Sequence, residues 1–312
     1  MLAVRAAGID FRNPLLLAAG TAGYGRELAD VMDLTVLGGI VTKAVSVTAR
    51  RGAAAPRVAD FAGGMINAVG LANPGVAVVA REHLPWLAAN LPGVRTLVNV
   101  VGSAVEEFAA VVQHLEEGLV PTPGAGSIDG YELNVSCPNV HAGGLEFGAD
   151  PRALAEVVTR ARAATRRPLF VKLSPTLPDI AVTARVAADA GANGVTVVNT
   201  IPGLVIDVER RRPALGFGSG GVSGTAVLPV GVLATWKVSR AVPLPIIGVG
   251  GVASATDLLQ YVLAGATLVG VGTAAMKEPR LPARIIRDLA RWLDAHGVGS
   301  VSELRGTLEW PA

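Results

Sequence analysis

The chain has 312 residues, of which 51% are hydrophobic and 17% charged, with a formal net charge of +2. That is ample apolar material for one large core, and the balance implies neither a nucleic-acid nor an acidic partner. One cysteine, Cys137, excludes an intrachain disulfide and an iron–sulfur cluster held by this chain alone, which needs about four ligands. Arg5, Asp10 and Arg12 interrupt the start, against a secretory signal. No uncharged apolar run reaches the ~18 residues of a membrane span, so the expected location is the cytoplasm.

From the N-terminus, VRAAGIDFRNP (4–14) reads as a hairpin turning at Gly8, placed to cap the bottom of a barrel. Eight apolar runs come next: LLLAAG (15–20), GGIVTKAV (38–45), TLVNVVG (96–102), GYELNVS (130–136), LFVKLS (169–174), GVTVVNT (194–200), PIIGVGG (245–251) and TLVGVGT (267–273). They are continuous rather than alternating, as in strands covered on both faces of a parallel sheet. Helical patterns lie between them. PGVAVVAREHLPWLAAN (74–90) is one. PRALAEVVTRARAAT (151–165) is another, with Asp150 as N-cap and Pro151 at the first helical position. SATDLLQYVLAGA (254–266) opens on a serine cap and closes near Gly265. His83, His114 and His296 fall in helix-like stretches without metal-ligand spacing, and no metal site is expected.

Eight strands alternating with helices predict an α/β fold, a (β/α)8 TIM barrel with an N-terminal hairpin. A doubly wound open sheet is the alternative. The stretch from Pro202 to Gly224 is too long for an ordinary connection and reads as an insertion after strand 6 on the catalytic face. It holds DVERRRP (207–213) and GFGSGG (216–221). The latter matches the dinucleotide fingerprint on paper, but no apolar strand precedes it and no patterned helix opens on it; it is expected to be a mobile loop. No linker divides the chain, which is expected to form one domain over 1–312.

In such barrels chemistry belongs to the C-terminal ends of the strands. Those ends carry Thr21, Lys43, Asn99, Asn134, Lys172, Asn199 with Thr200, Gly250 with Gly251, and Gly272 with Thr273. Strand ends meet solvent and are polar anyway, so any one of these is ordinary; two lysines and three asparagines together suggest a site. The last two ends, GVGGVAS and GVGTAAM, offer side-chain-free backbone and a helix start for an anion. Tight packing of turn against helix is the other reading. Phosphate sites of barrels are often built from these two loops. Cys137 lies past strand 4, with Pro138, Asn139, Gly143 and Gly144 after it. A lone cysteine is commonly a small buried hydrophobe. In a glycine-flanked loop above a site it can instead serve as a base, since a thiol pKa of about 8.5 needs only a modest downward shift. His141 reads as a surface histidine.

These motifs together resemble the dihydroorotate dehydrogenase family. The likeness rests on NAVGLANPG (67–75), NVSCPNVHAGG (134–144), VKLSP (171–175), the Asn199–Thr200 pair, GGVSG (220–224), IIGVGG (246–251) and VGVGT (269–273). It implies an FMN-containing (β/α)8 barrel that oxidises dihydroorotate to orotate in pyrimidine biosynthesis. Cys137 would be the base that takes the C5 proton while hydride passes from C6 to the flavin. The resemblance assigns substrate binding to Lys43, Asn67, Ala68, Val69, Gly70, Leu71, Asn134, Asn199 and Thr200. Flavin contacts fall to Thr21, Lys43, Ala44, Asn99, Asn134, Lys172, Val198 and Gly224. Gly250, Gly251, Gly272 and Thr273 would hold the phosphate, and Lys172 would sit at the flavin's N1–O2 edge. A cysteine base marks the family's soluble group. Segments 54–75 and 137–151 are similar to its NAD-linked form, a homodimer of this chain working with a partner subunit that carries FAD and a [2Fe–2S] cluster. The alternatives are the homodimeric fumarate-linked form, a related flavin barrel acting on another reduced pyrimidine (free or in tRNA), and a non-catalytic phosphate-binding barrel. Segment 116–130, rich in proline and glycine, departs from the pattern.

Overall fold

The computed structural model describes residues 1–118, 128–136 and 146–311. Eight parallel strands close into a barrel: β1 (Leu15–Leu17), β2 (Gly39–Val41), β3 (Arg95–Val100), β4 (Gly130–Asn134), β5 (Leu169–Leu173), β6 (Gly194–Val197), β7 (Ile246–Val249) and β8 (Leu268–Val271). Neighbours follow chain order and β8 pairs with β1, so the sheet has no open edge. The (β/α)8 expectation holds and the doubly wound alternative falls. The barrel strands are almost wholly buried, because helices cover their outer faces and side chains fill the interior.

Most strands stop short of the apolar run that announced them. β1 ends at Leu17 and β6 at Val197, and the residues beyond bend over the barrel mouth. Their amides still find carbonyls across the gap: Ala18 N–H donates to Val271 O at 2.9 Å, Val198 to Val249 O at 3.0 Å and Asn199 to Leu173 O at 2.9 Å. The polar residues read as strand ends are therefore set at the rim by paired backbone.

The N-terminal hairpin pairs Val4–Ala6 with Ile9–Phe11, turning through Ala7 and Gly8, both with positive φ. Arg95, the first residue of β3, donates from Nε to the Asp10 carbonyl at 2.8 Å, so the hairpin closes the end opposite the mouth. The helices form where their caps and patterns place them. Asp150 accepts from Arg152 N at 2.8 Å ahead of helix Pro151–Ala164, and Ser254 from Asp257 N at 3.1 Å ahead of helix Ala255–Leu263. Residues 76–90 are helical as read, but Val79–His83 within them is a π turn. Pro85 has no N–H for the ladder, and the wider turn absorbs the break.

Above the mouth lies a four-stranded antiparallel sheet in the order Ile201–Gly203, Gly220–Ser223, Gly64–Asn67, Val58–Phe61. The insertion after β6 supplies two of these strands, and a hairpin at 58–67 that the sequence reading did not foresee supplies the other two. Residues Gly220 and Gly221, expected in a mobile loop, instead belong to a strand with a partner on each side. A dinucleotide fingerprint needs a helix start at that place.

Candidate active site

The rim and the added sheet enclose a cavity of about 900 Å³ at the C-terminal end of the barrel. Every described residue that the sequence reading assigned to substrate or cofactor borders it. Thr21, Lys43 and Ala44 come from β1 and β2; Asn99, Asn134 and Lys172 from β3, β4 and β5; Val198, Asn199 and Thr200 from beyond β6. Asn67, Ala68, Val69, Gly70 and Leu71 form one wall. Gly224, Gly250, Gly251, Gly272 and Thr273 form the opposite end. Cys137, with Pro138, Asn139, His141, Gly143 and Gly144, lies outside the described residues, as does 119–127 of the proline–glycine segment.

The floor is polar. Asn99, Asn134 and Lys172 are all buried. No carboxylate among the described residues lies within 4.0 Å of the Lys172 ammonium, so a buried cation borders the cavity without a direct ion-pair partner there. Such a charge is costly unless a ligand or a counter-charge answers it. Asn99 Nδ2 donates to Glu132 at 2.7 Å, and Asn99 Oδ1 is buried without a hydrogen-bond partner among the described residues.

Beside the floor a small network anchors Ser136. Asn199 Nδ2 donates to Ser136 Oγ at 2.6 Å, and Ser136 Oγ donates to Asn134 Oδ1 at 2.9 Å. Asn199 Oδ1 in turn accepts from Thr200 N–H at 2.8 Å. Ser136, immediately before Cys137, is thus anchored to β4 and to the β6 rim.

The 67–71 wall is held from below. Asn73 Nδ2 donates to Leu71 O and to Ser46 Oγ, both at 2.8 Å, while its Oδ1 accepts from Gly75 N at 2.9 Å. Leu71 takes a positive φ of 56°, a cost that this buried asparagine offsets. Asn67 Nδ2 reaches across the added sheet to Gly221 O at 3.2 Å.

At the far end, Gly251 has φ +74°, and a Cβ there would lie 2.5 Å from Leu228 N. Only glycine lets this turn pass so close to the helix Leu228–Ser239. Tyr261 Oη donates to Gly250 O at 2.8 Å, and Thr273 Oγ1 donates to Ser223 Oγ at 2.7 Å, tying β8 to the added sheet. Backbone without side chains, a threonine hydroxyl and the start of helix Thr273–Lys277 suit a phosphate.

Several lining residues were not read from the sequence. Val58, Met65, Phe217, Ser223 and Lys277 belong to the added sheet, its connections or the segment after β8. Their signal was weak because the sheet's strands are short and half exposed. Glu146, where the chain re-enters the described residues, has its carboxyl pushed up by burial, against a hydrogen bond from Ser174 that pulls it down.

The barrel, with a cavity at the C-terminal ends of its strands lined by lysines, asparagines and two glycine turns, has the layout of a barrel enzyme's active site. The dihydroorotate dehydrogenase family model matches residues 1–293, and the chain belongs to that family. It is similar to the protein named dihydroorotate dehydrogenase B (NAD(+)), catalytic subunit, of Pelobacter propionicus, with 45% identity over 99% of this chain and 98% of that relative. The protein of the same name in Geobacter sp. strain M21 is 43% identical over 99% of this chain and 98% of its own length. That of Desulforudis audaxviator is 45% identical over 97% and 96%. This chain is an oxidoreductase of pyrimidine biosynthesis that acts on dihydroorotate, and its family is flavin-dependent. Among the described residues no helix is long and apolar enough to cross a membrane.

Proposed function

We propose that the chain is the catalytic subunit of an NAD-linked dihydroorotate dehydrogenase, with FMN as its flavin and Cys137 as its base. The observation that carries the reading is convergence: lysines 43 and 172, asparagines 67, 99, 134 and 199, and both glycine turns border one cavity. Its volume, about 900 Å³, suits a flavin mononucleotide with a small ring beside it. The orphaned Asn99 oxygen and the unanswered Lys172 ammonium suit a ring edge that offers both an N–H and an anionic or carbonyl oxygen. Gly250, Gly251, Gly272 and Thr273 would take the phosphate. When bound, FMN supplies a two-electron acceptor for the hydride leaving C6 of the substrate.

The chain's own residues do the rest. Lys43 and the amides of Asn67, Asn134 and Asn199, with the Thr200 hydroxyl, hold a ring bearing a carboxylate and two carbonyls. Cys137 as thiolate removes the C5 proton, and the Ser136–Asn134–Asn199 hydrogen bonds fix the backbone that leads to it. Lys172 favours negative charge on the cofactor's edge. The names of the relatives support NAD⁺ as acceptor and a partner subunit to reach it. With one cysteine, and no second nucleotide fold among the described residues, this chain would need that partner to carry the [2Fe–2S] cluster and FAD. The assembly proposed is a homodimer of this chain working with that iron–sulfur FAD subunit, in the cytoplasm.

The test is an anaerobic stopped-flow experiment with dihydroorotate on wild type and Cys137→Ser. Wild type should lose its flavin absorbance rapidly, and the variant should be slower by about 10²- to 10⁴-fold. Equal rates would remove Cys137 from its role. Flavin that is present but not bleached would point to another reduced pyrimidine. A chain that cannot take up FMN would sink the reading.

A further inference from the structure

Glu132 lies in the middle of β4 and is 1% exposed. It and Lys172 are the only acidic or basic residues among the buried described residues. Nothing in the proposed chemistry uses it. Its Oε1 accepts from Asn99 Nδ2 at 2.7 Å, its neighbour across the β3–β4 ladder. Its Oε2 accepts from Thr196 Oγ1 of β6 at 2.6 Å. Strand side chains alternate, so Glu132 points into the barrel on the same side as Asn134, one layer farther from the mouth. Lys172 pairs in register with Asn134 and with Thr196, one layer nearer the mouth than Glu132, and its ammonium is not within 4.0 Å of the carboxylate.

A carboxylate can only accept hydrogen bonds. Facing one, a neighbouring amide must turn its nitrogen inward, because the reverse would set oxygen against oxygen. The amide then has its oxygen left over. In Asn99 that oxygen is buried and has no hydrogen-bond partner among the described residues, on a residue that borders the cavity. An orphaned buried acceptor is costly and is normally answered. A protonated carboxyl in the same place could donate instead, and the amide would be free to face either way.

We propose that Glu132, as a carboxylate, is a positioning residue: it locks the Asn99 amide so that the cavity floor offers one acceptor, Asn99 Oδ1, beside the donor Lys172. That pair selects a ring edge in which an N–H neighbours a carbonyl, the imide edge of a flavin's pyrimidine ring. The inference rests on the FMN reading of the same cavity and adds a residue that touches neither cofactor nor substrate.

The experiment is a titration of the flavin-free full-length chain with FMN and with FMN methylated on its ring imide nitrogen, read by fluorescence. It uses wild type, Glu132→Gln, and the exchanged pair Asn99→Asp with Glu132→Gln. Wild type should prefer FMN, and E132Q should lose about tenfold to a hundredfold of that preference, mostly through weaker FMN binding. The methyl group's bulk is the same in every variant, so the change in preference isolates the hydrogen bond. The exchanged pair restores it, because the new glutamine amide donates to the new aspartate and leaves a carboxylate oxygen as the acceptor. A merely structural Glu132 would weaken both ligands alike. Equal binding of both ligands by wild type, or an E132Q preference equal to that of wild type, would overturn the proposal. If E132Q does not fold, the exchanged pair decides, since it keeps the volume and the internal hydrogen bond: a preference for FMN over its methylated form is expected, and equal binding of the two overturns the role. Wild type that binds neither ligand would fail the FMN reading itself, a different result from wild type that binds FMN without discrimination.

Discussion

Lys172 concentrates the electrostatics of the site in one side chain. The residue is 6% exposed, and its ammonium has no carboxylate within 4.0 Å among the described residues. Charge on a bound ring's edge is therefore worth more here than in water. Lys172→Met leaves Glu132 as the one buried charge among the described residues, so the variant is compared as folded, flavin-loaded protein. It should make the bound flavin harder to reduce, and each tenfold loss in the preference for the reduced form moves the midpoint about 30 mV more negative. A potentiometric titration reads this, and an unchanged midpoint would take Lys172 out of the reduced-state stabilisation. Most of these residues were legible because barrel chemistry sits at strand ends, where a lysine or asparagine after an apolar run stands out. Glu132 was not, because in YELN it passes for an ordinary strand residue. The period of two was the available signal: if Asn134 faces inward, so does Glu132, and a carboxylate inside a barrel needs partners.

Among the elements, the turn after β7 and the helix at 76–90 make opposite demands on sequence reading. Gly250 and Gly251 announced themselves by type, and the reason is steric. Gly251→Ala places a Cβ 2.5 Å from Leu228 N at φ +74°, whereas Gly297→Ala, at φ +65°, meets nothing within 4 Å. Both carry the left-handed penalty of roughly 1 kcal/mol. Only Gly251→Ala should also weaken FMN binding, by tenfold or more, and loss of equal size in Gly297→Ala would refute the steric account. The π turn at Val79–His83 was invisible, because the apolar spacing of 76–90 reads as plain helix and only Pro85 hints at the break. The turn brings His83 onto Tyr24, with ring centroids 4.3 Å apart, and Tyr24 Oη donates to the cavity-lining Ala44 O at 3.1 Å. Burial, more than any neighbour, lowers the His83 pKa; Arg26 lowers it further while Glu27 and Glu82 oppose. The unfolded chain thus takes up this proton first as the pH drops. Stability from His83 is present above the ordinary imidazole value of about 6.5 and is lost as the pH falls from there to the lowered value. His83→Phe should keep the stack and flatten that part of the profile. Urea midpoints at pH 7.5 and 5.5 that fall equally in variant and wild type would contradict it. The 58–67 hairpin was missed for a third reason: half-exposed strands of four residues lack a clean alternation, and their order comes from pairing with the insertion.

For the whole molecule, the proposed reading gives the barrel mouth to one cofactor and one substrate. On that reading the turns after β7 and β8, which line the same cavity as the floor, would take the phosphate, and the floor the ring. The glycine-rich run GFGSGG ends in a strand bonded on both sides, so it cannot act as a second nucleotide cradle. The single cysteine cannot hold a cluster. Electrons accepted at the mouth must therefore leave through another protein if NAD⁺ is to receive them. The lone chain is expected to complete the reductive half-reaction with dihydroorotate and to form no NADH above background. A dye that accepts electrons directly from flavin should restore turnover without a partner, and an iron–sulfur FAD protein from the same source should restore NADH formation. Substantial NADH from the lone chain would show that the cavity admits nicotinamide itself and would remove the need for a partner. Turnover with fumarate in place of both would make the chain self-sufficient, with the acceptor entering the substrate's own site. The NAD⁺ and fumarate assays therefore belong side by side on the same preparation.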